Sequence, residues 1–346
     1  MSGTASSVSR WKRLRHRLEW LLCAGFAAVV PRLPRLFCAR LAEAVGWLAF
    51  HLDRRGREVA RANLLCIFGD RHDAAERDAI AIRSYQSFAR TMFDLFWAPA
   101  LTAENWRDYL EIVGDPRAGA KPGQGMVMMC VHWGNFEWAS LAIGFLGIPT
   151  SIVAESFKNS LLSGLFNGNR EVSGHTIVPQ ENSMIRFLKL VKKGGATGML
   201  VDLTLRPEQG AIPLEAFGRK LAATPMHAVL AERGGARLVP VHGEPLPDGR
   251  CRVTIDPPLE LPAGATTAQI AQICWDHYEK QLRQRPELWM WAYKHWRYRP
   301  GGEDPALYPS YANVSSKFDK LLAGKPVSGK KRPSGAPRAM ENGAAH

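Results

Sequence analysis

From about residue 110 onward, short apolar runs alternate with stretches of helical periodicity. This alternation constrains the fold more than any other feature of the chain. Met126–Val131, Ser151–Ala154, Gly198–Leu203, Arg237–His242 and Cys251–Ile255 read as strands. Residues 136–146, 157–172, 183–193 and 224–234 read as helices. Thr224 before Pro225 predicts a helix start, with a capping hydroxyl and a pre-set first φ. A strand–helix rhythm of this kind requires a mixed, largely parallel sheet flanked by helices, an α/β fold. Residues 268–284 form a further helix, striped by Ile270, Ile273, Cys274, His277, Tyr278 and Leu282.

The N-terminal part is different. Residues 56–97 carry Ile82, Tyr85, Phe88, Ala89, Met92, Phe93 and Phe96 at spacings of three and four, an apolar helix face suited to core packing. Trp20–Pro31 is uncharged but too short to cross a hydrocarbon core of roughly 30 Å as a helix. Residues 11–52 therefore read as helices lying in one leaflet, with a single tilted span as the rival. The organisation expected is a basic arm and membrane-anchoring helices over 1–55, a catalytic-type α/β domain over 56–308, and a basic disordered tail over 309–346.

Charge supports that division. The chain carries +13, yet residues 1–17 hold five basic residues and no acid, and residues 309–346 hold seven basic and two acidic ones. The body between is close to neutral. Two cationic arms on a neutral body suit an anionic lipid surface and argue against nucleic acid. The six cysteines form no CxxC pair and match no zinc or disulfide spacing, which fits a reducing compartment. No GxGxxG, GxxxxGK[ST], HExxH or GxSxG occurs, so no dinucleotide, P-loop, metalloprotease or serine acyl-enzyme chemistry is indicated, and no metal or cofactor is expected.

The stretch with chemical content is Val131-His132-Trp133-Gly134-Asn135-Phe136-Glu137. A strand delivers His132 at its C-terminal end, where open α/β sheets bind ligands. Gly134 allows a tight turn, Asn135 caps the next helix, and Glu137 falls in its first turn. A short loop of this kind brings the Glu137 carboxylate within reach of the imidazole, which would make His132 a general base.

Other stretches join this one in a fixed order. They are Asn159 through Arg170 and Gly174; Asp202; Phe217-Gly218; Ala223-Thr224-Pro225; Val239-Pro240-Val241; and Arg283, Arg285-Pro286-Glu287-Leu288-Trp289-Met290-Trp291 and Trp296-Arg297. With His132 and Glu137 as an H-x4-E pair, the chain resembles the lipid A biosynthesis acyltransferase family, late lauroyl and myristoyl transferases within the lysophospholipid acyltransferase superfamily. The resemblance covers roughly residues 10–300. It implies a glycerolipid acyltransferase-like fold and a membrane-associated O-acyltransferase. His132 and Glu137 would be catalytic, and Asn135, Arg170 and Asp202 would bind substrate. Arg170 would hold a phosphate, and Asp202 would steady Arg170 or His132 or cap a loop.

The implied donor is an acyl thioester of acyl carrier protein or coenzyme A, and the acceptor is a hydroxyl of a lipid A precursor or related glycolipid. A lysophospholipid or sugar-headed glycolipid is the second acceptor class, and a non-enzymatic membrane lipid-binding protein the distant alternative. The implied location is the cytoplasmic face of the bacterial inner membrane. Trp289, Trp291 and Trp296, interleaved with Lys294, His295, Arg297 and Arg299, read partly as core and partly as cations at a substrate entrance.

Overall fold

The computed structural model describes residues 10–154, 157–179 and 183–327. Its centre is a seven-stranded sheet in the order β1-β9-β8-β2-β5-β3-β4. These are β1 (Leu110–Val113), β2 (Met126–Cys130), β3 (Ser151–Ala154), β4 (Thr176–Pro179), β5 (Ala196–Leu200), β8 (Arg237–Pro245) and β9 (Cys251–Ile255). Every neighbouring pair is parallel except β8 and β9, which are antiparallel. The expected mixed, largely parallel α/β sheet is therefore present. β1, β4 and a hairpin of β6 (Ile212–Ala216) and β7 (Arg219–Ala223) were not expected from the sequence.

β2 explains the layering. Met126 and Met128 pack with Trp138 and Leu141 of α6 (Phe136–Phe145), while Val127 and Met129 pack with Ala228 and Leu230 of α9 (Met226–Gly234) and Tyr278 of α10 (Thr267–Gln284). Side chains of a strand alternate between faces, so a strand apolar throughout must be covered on both. α8 (Ser183–Lys192) packs on β5 and on α9, and α9 packs on β2 and β8.

The N-terminal helices complete both cores: Phe26, Cys38 and Phe93 join the α6 face, whereas Phe50, Ala60, Leu64 and Phe68 join the face of α9 and α10. These helices are α1 (Arg10–Val29), α2 (Arg35–Leu52), α3 (Arg54–Phe68) and α4 (Ala74–Trp97), and a single turn, α5 (Trp106–Tyr109), then leads into β1. Asp73 and Glu76 close α4 with a capping box. α4 packs on α2, α3 and α6, and also on α7 (Ser160–Glu171). No helix among the described residues is long and apolar enough to cross a membrane; the first half of α1 carries Arg13, Arg15 and Arg17, and α2 carries Arg35, Arg40 and Glu43. A spanning N-terminal anchor thus finds no support.

Two further expectations need correction, and one motif takes its shape. Pro225, not Thr224, occupies the N-cap of α9, and no side chain caps that helix. Phe217-Gly218 is a two-residue hairpin turn with both φ positive, 54° and 72°. Phe217 tolerates this conformation because its ring is buried against Trp289, Trp291 and Trp296. The chain also stays folded past 308: β11 (Asn313–Val314) pairs with β10 (Tyr298–Arg299), and α11 (Ser316–Leu322) buries Phe318 against Ala211 and Ala222. Residues 328–346 of the expected tail, and the arm before Arg10, lie outside the described residues.

Candidate active site

The register of two central strands positions the site. β2 and β5 are parallel neighbours with Cys130 opposite Leu200, and Val201 N–H donates to the Cys130 carbonyl at 2.9 Å. Continuing the register past both strand ends sets His132 beside Asp202. The His132 Nδ1 lies 2.8 Å from Asp202 Oδ1, and the His132 backbone N–H donates to Oδ2 at 2.9 Å. The Trp289 indole N–H donates to the same Oδ2 at 2.9 Å. The imidazole partner is therefore Asp202, not Glu137.

Asp202 is fully buried, and burial alone would push its carboxyl up. The facing His132, together with the Trp289 indole N–H, outweighs that and holds it down at about 2. A carboxylate only accepts, so Nδ1 carries the proton and Nε2 of a neutral ring is left with its lone pair. The His132 side chain is 13% exposed, so the ring reaches the surface from a nearly closed site. The Phe136 ring packs edge-on against it at 5.0 Å.

Glu137 takes a different partner. Its carboxylate accepts from Arg170 Nε at 3.0 Å and Nη2 at 2.6 Å, a two-pronged pair between the first turn of α6 and the last turn of α7. Burial opposes the Arg170 charge, but Glu137 more than compensates, and the guanidinium is held more basic than usual. Asn159 caps α7 and donates to the His16 carbonyl and the Glu19 carboxylate of α1. The basic helix α1 is thereby tied to the element that presents Arg170.

The turn between strand and helix is held tightly. Gly134 has φ of +54°, and a Cβ there would lie 2.1 Å from the Gly243 carbonyl oxygen. Asn135 N–H donates to that same carbonyl at 2.7 Å. The Asn135 side chain caps α6 at Trp138 N–H as expected, and its amide donates to Asp94 Oδ2 at 2.7 Å. Asn135 is 1% exposed with both ends of its amide engaged, so its side chain serves the turn rather than a ligand.

Sequence reasoning missed the polar face of α4. Ser84 donates to the Trp289 carbonyl, Thr91 to the Gly134 carbonyl at 2.8 Å, and Asp94 accepts from Arg35 and Asn135 at 2.7 Å each. These residues are buried while Phe88, placed on the expected apolar face, is 39% exposed. Their spacing of seven and three on one helix was the available signal. Trp289, Trp291 and Trp296 are all fully buried, and His295 stacks on Trp289 at 3.9 Å, so this segment is core behind Asp202. Among the described residues no group of three His, Cys, Asp or Glu is placed to hold a metal ion, and all six cysteines are free.

This arrangement has a family. The profile described as "Bacterial lipid A biosynthesis acyltransferase" matches residues 8–298. The chain belongs to that family. It is accordingly an acyltransferase, and the resemblance carried by its motifs is upheld. It is 25% identical over 304 residues to the lipid A biosynthesis lauroyltransferase of Escherichia coli K12, covering 84% of this chain and 95% of that relative. It is 24% identical over 302 residues to the lipid A biosynthesis palmitoleoyltransferase of the same organism, covering 85% and 96%. It is also 24% identical over 245 residues to a phosphatidylinositol mannoside acyltransferase of Mycolicibacterium smegmatis, covering 70% and 80%.

Two buried histidines give this acyltransferase a pH-dependent stability. Burial pushes His227 and His295 down to about 4, and both His227 nitrogens lack partners among the described residues. The folded chain keeps these rings neutral, whereas the unfolded chain protonates them near 6.5. Their contribution is therefore complete above about pH 6.5 and is lost as pH falls towards 4. Urea unfolding is expected to give constant stability from pH 7 to 8 and a fall of about 3 kcal/mol per histidine between pH 6.5 and 4. Asp202 works in a lower window, losing its contribution only below its ordinary value of 3.8. A stability curve flat down to pH 4 would contradict the buried neutral rings.

Proposed function

We propose that this acyltransferase moves a fatty acyl chain from a thioester of acyl carrier protein or coenzyme A to a hydroxyl of a lipid A precursor or related glycolipid, with His132 as general base. The observation that carries the reading is the Nδ1 contact with a deeply buried, ionised Asp202, which leaves Nε2 as the proton acceptor. Nε2 takes the acceptor hydroxyl proton as that oxygen bonds to the thioester carbonyl carbon. The tetrahedral intermediate then collapses, the carbon–sulfur bond breaks, and the imidazolium returns the proton to the leaving thiolate. No acyl-enzyme forms. Glu137 acts by fixing the Arg170 fork, and Arg170 holds an anionic group of donor or acceptor. Arg170 is the candidate to stabilise the oxyanion, because the main-chain N–H groups of His132, Trp133, Gly134 and Asn135 are already donated within the fold.

The membrane part of the proposal rests on α1 and α2. Trp11 (73%), Leu22 (76%), Trp47 (50%) and Leu52 (74%) are exposed among Arg13, Arg15, Arg17 and Arg40. Apolar side chains beside cations suit helices lying at an anionic lipid interface, here the cytoplasmic face of the inner membrane. This requires no spanning segment.

The test is a transfer assay on anionic vesicles containing a lipid A precursor, a lysophospholipid or a mannosylated phosphatidylinositol, each with acyl carrier protein and coenzyme A thioesters. Product mass is read by mass spectrometry. The expected result is an acyl mass gained on the lipid A precursor. Gain only on the mannolipid would support the sugar-headed alternative, which the mannoside acyltransferase relative favours. Gain only on the lysophospholipid would move the acceptor to that class. No transfer to any of them would overturn the substrate reading.

A further inference from the structure

Asp94 lies in the second half of α4, 1% exposed, and makes no direct contact with His132, Glu137 or Arg170. We infer that Asp94 is a positioning residue for the acyl transfer proposed above, acting on the His132 turn through Asn135. Burying a carboxylate is costly unless its oxygens are fully paired. Here the pairing is divided: Oδ1 accepts from Arg35 Nη1 and Oδ2 from Asn135 Nδ2, at 2.7 Å each. The Asp94 main-chain carbonyl accepts from the Trp138 indole N–H at 2.8 Å, and Arg90 Nε stands 3.9 Å from Oδ2.

The Asn135 amide is thus fixed in one orientation. Its NH2 must face the carboxylate, because its oxygen is occupied by Trp138 N–H at 3.0 Å. One turn earlier on the same face of α4, Thr91 holds the Gly134 carbonyl. On the other side of the loop, Gly134 N–H donates to the Leu288 carbonyl at 2.9 Å, and Met290 N–H to the His132 carbonyl at 3.1 Å. The catalytic loop is held from both sides, and α4 is one of them. Were packing the only need, an apolar residue would serve position 94 at lower cost.

The other side of Asp94 reaches α2. Arg35 also donates to the Gly249 carbonyl at 2.8 and 3.1 Å and lies over Trp138 at 4.5 Å and Trp97 at 5.0 Å. Leu36 and Phe37, its chain neighbours, are exposed. The helix proposed to meet lipid is therefore linked to the His132 turn through Arg35, Asp94 and Asn135.

The test compares full-length wild type, Asp94→Asn and the double variant Arg35→Met/Asp94→Leu. An amide at 94 has one acceptor oxygen for two donors, so Arg35 or Asn135 loses its partner. Asp94→Asn should lower kcat by about ten- to a hundredfold, the scale expected for a misplaced catalytic group, with KM within about twofold. The double variant removes the buried charge pair together and leaves Asn135 Nδ2 without its acceptor, so its thermal midpoint should recover while kcat stays low. A low-field proton resonance assigned to His132 Nδ1–H, through its loss in His132→Gln, should shift or broaden in both variants.

Recovery of kcat along with the thermal midpoint would overturn the inference, as would an unmoved resonance at wild-type kcat. Failure of both variants to fold would reduce Asp94 to a stabilising residue and equally overturn it. A wild type without transfer to any acceptor would fail the substrate reading instead, and the resonance would still decide on Asp94.

Discussion

Replacing His132 with alanine is expected to lower acyl transfer by about 10³-fold, within the range that positioned general-base catalysis supplies. The fold should survive. Asp202 keeps two of its three donors in the variant, the backbone N–H of residue 132 and the Trp289 indole, both at 2.9 Å. The lost imidazole contact then costs about 1–3 kcal/mol, the penalty for a buried acceptor left partly unsatisfied. Steady-state transfer and thermal unfolding on the same preparations decide it. Residual transfer within about tenfold of wild type, with the fold intact, would remove His132 from the role of base.

Asp202→Asn should be almost as damaging for a different reason. The single amide oxygen satisfies the backbone N–H of His132 and the Trp289 indole, which share one Asp202 oxygen in the native chain. The amide NH2 is then turned towards Nδ1. That forces Nδ1 to accept and moves the imidazole proton to Nε2, the position from which the base must act. The expected loss is about 10³-fold in kcat with KM little changed, since orientation and tautomer are altered rather than binding. An Asp202→Asn enzyme retaining most of its kcat would show that the carboxylate does not set the tautomer.

Much of this was legible in residue order. The strands and helices beyond residue 110 follow from apolar periodicity, and His132 at a strand end follows from its position after MVMMC. What periodicity does not carry is which strands become neighbours. The pairing of His132 with Asp202 depends on β2 lying beside β5, with β3 and β4 inserted between them in sequence. Glu137, five positions from His132, looked nearer, yet the helix that begins at Phe136 turns its carboxylate towards Arg170. The polar face of α4 was hidden for a related reason. Ser84, Thr91 and Asp94 read as flaws in an apolar stripe until the loops they serve are known. The C-terminal region looked disordered by composition, but one aromatic, Phe318, closes a small core over the β6–β7 hairpin.

The parallel ladder that brings His132 to Asp202 has a consequence for how such an enzyme can diversify. His132 and Asp202 hang from the same hydrogen-bonded main chain, at matched distances past Cys130 and Leu200. A one-residue insertion on either side would shift one partner by a strand step, roughly 3.3 Å, and part the pair. Helices α1, α2 and α7, by contrast, are joined to this part of the fold through the Glu19, Arg35, Asn159 and Arg170 side chains and the His16 carbonyl. Their outer surfaces are free to drift in length, charge and apolar content without touching that alignment. The outer faces of these helices can thus vary while the His132–Asp202 pair is held in step.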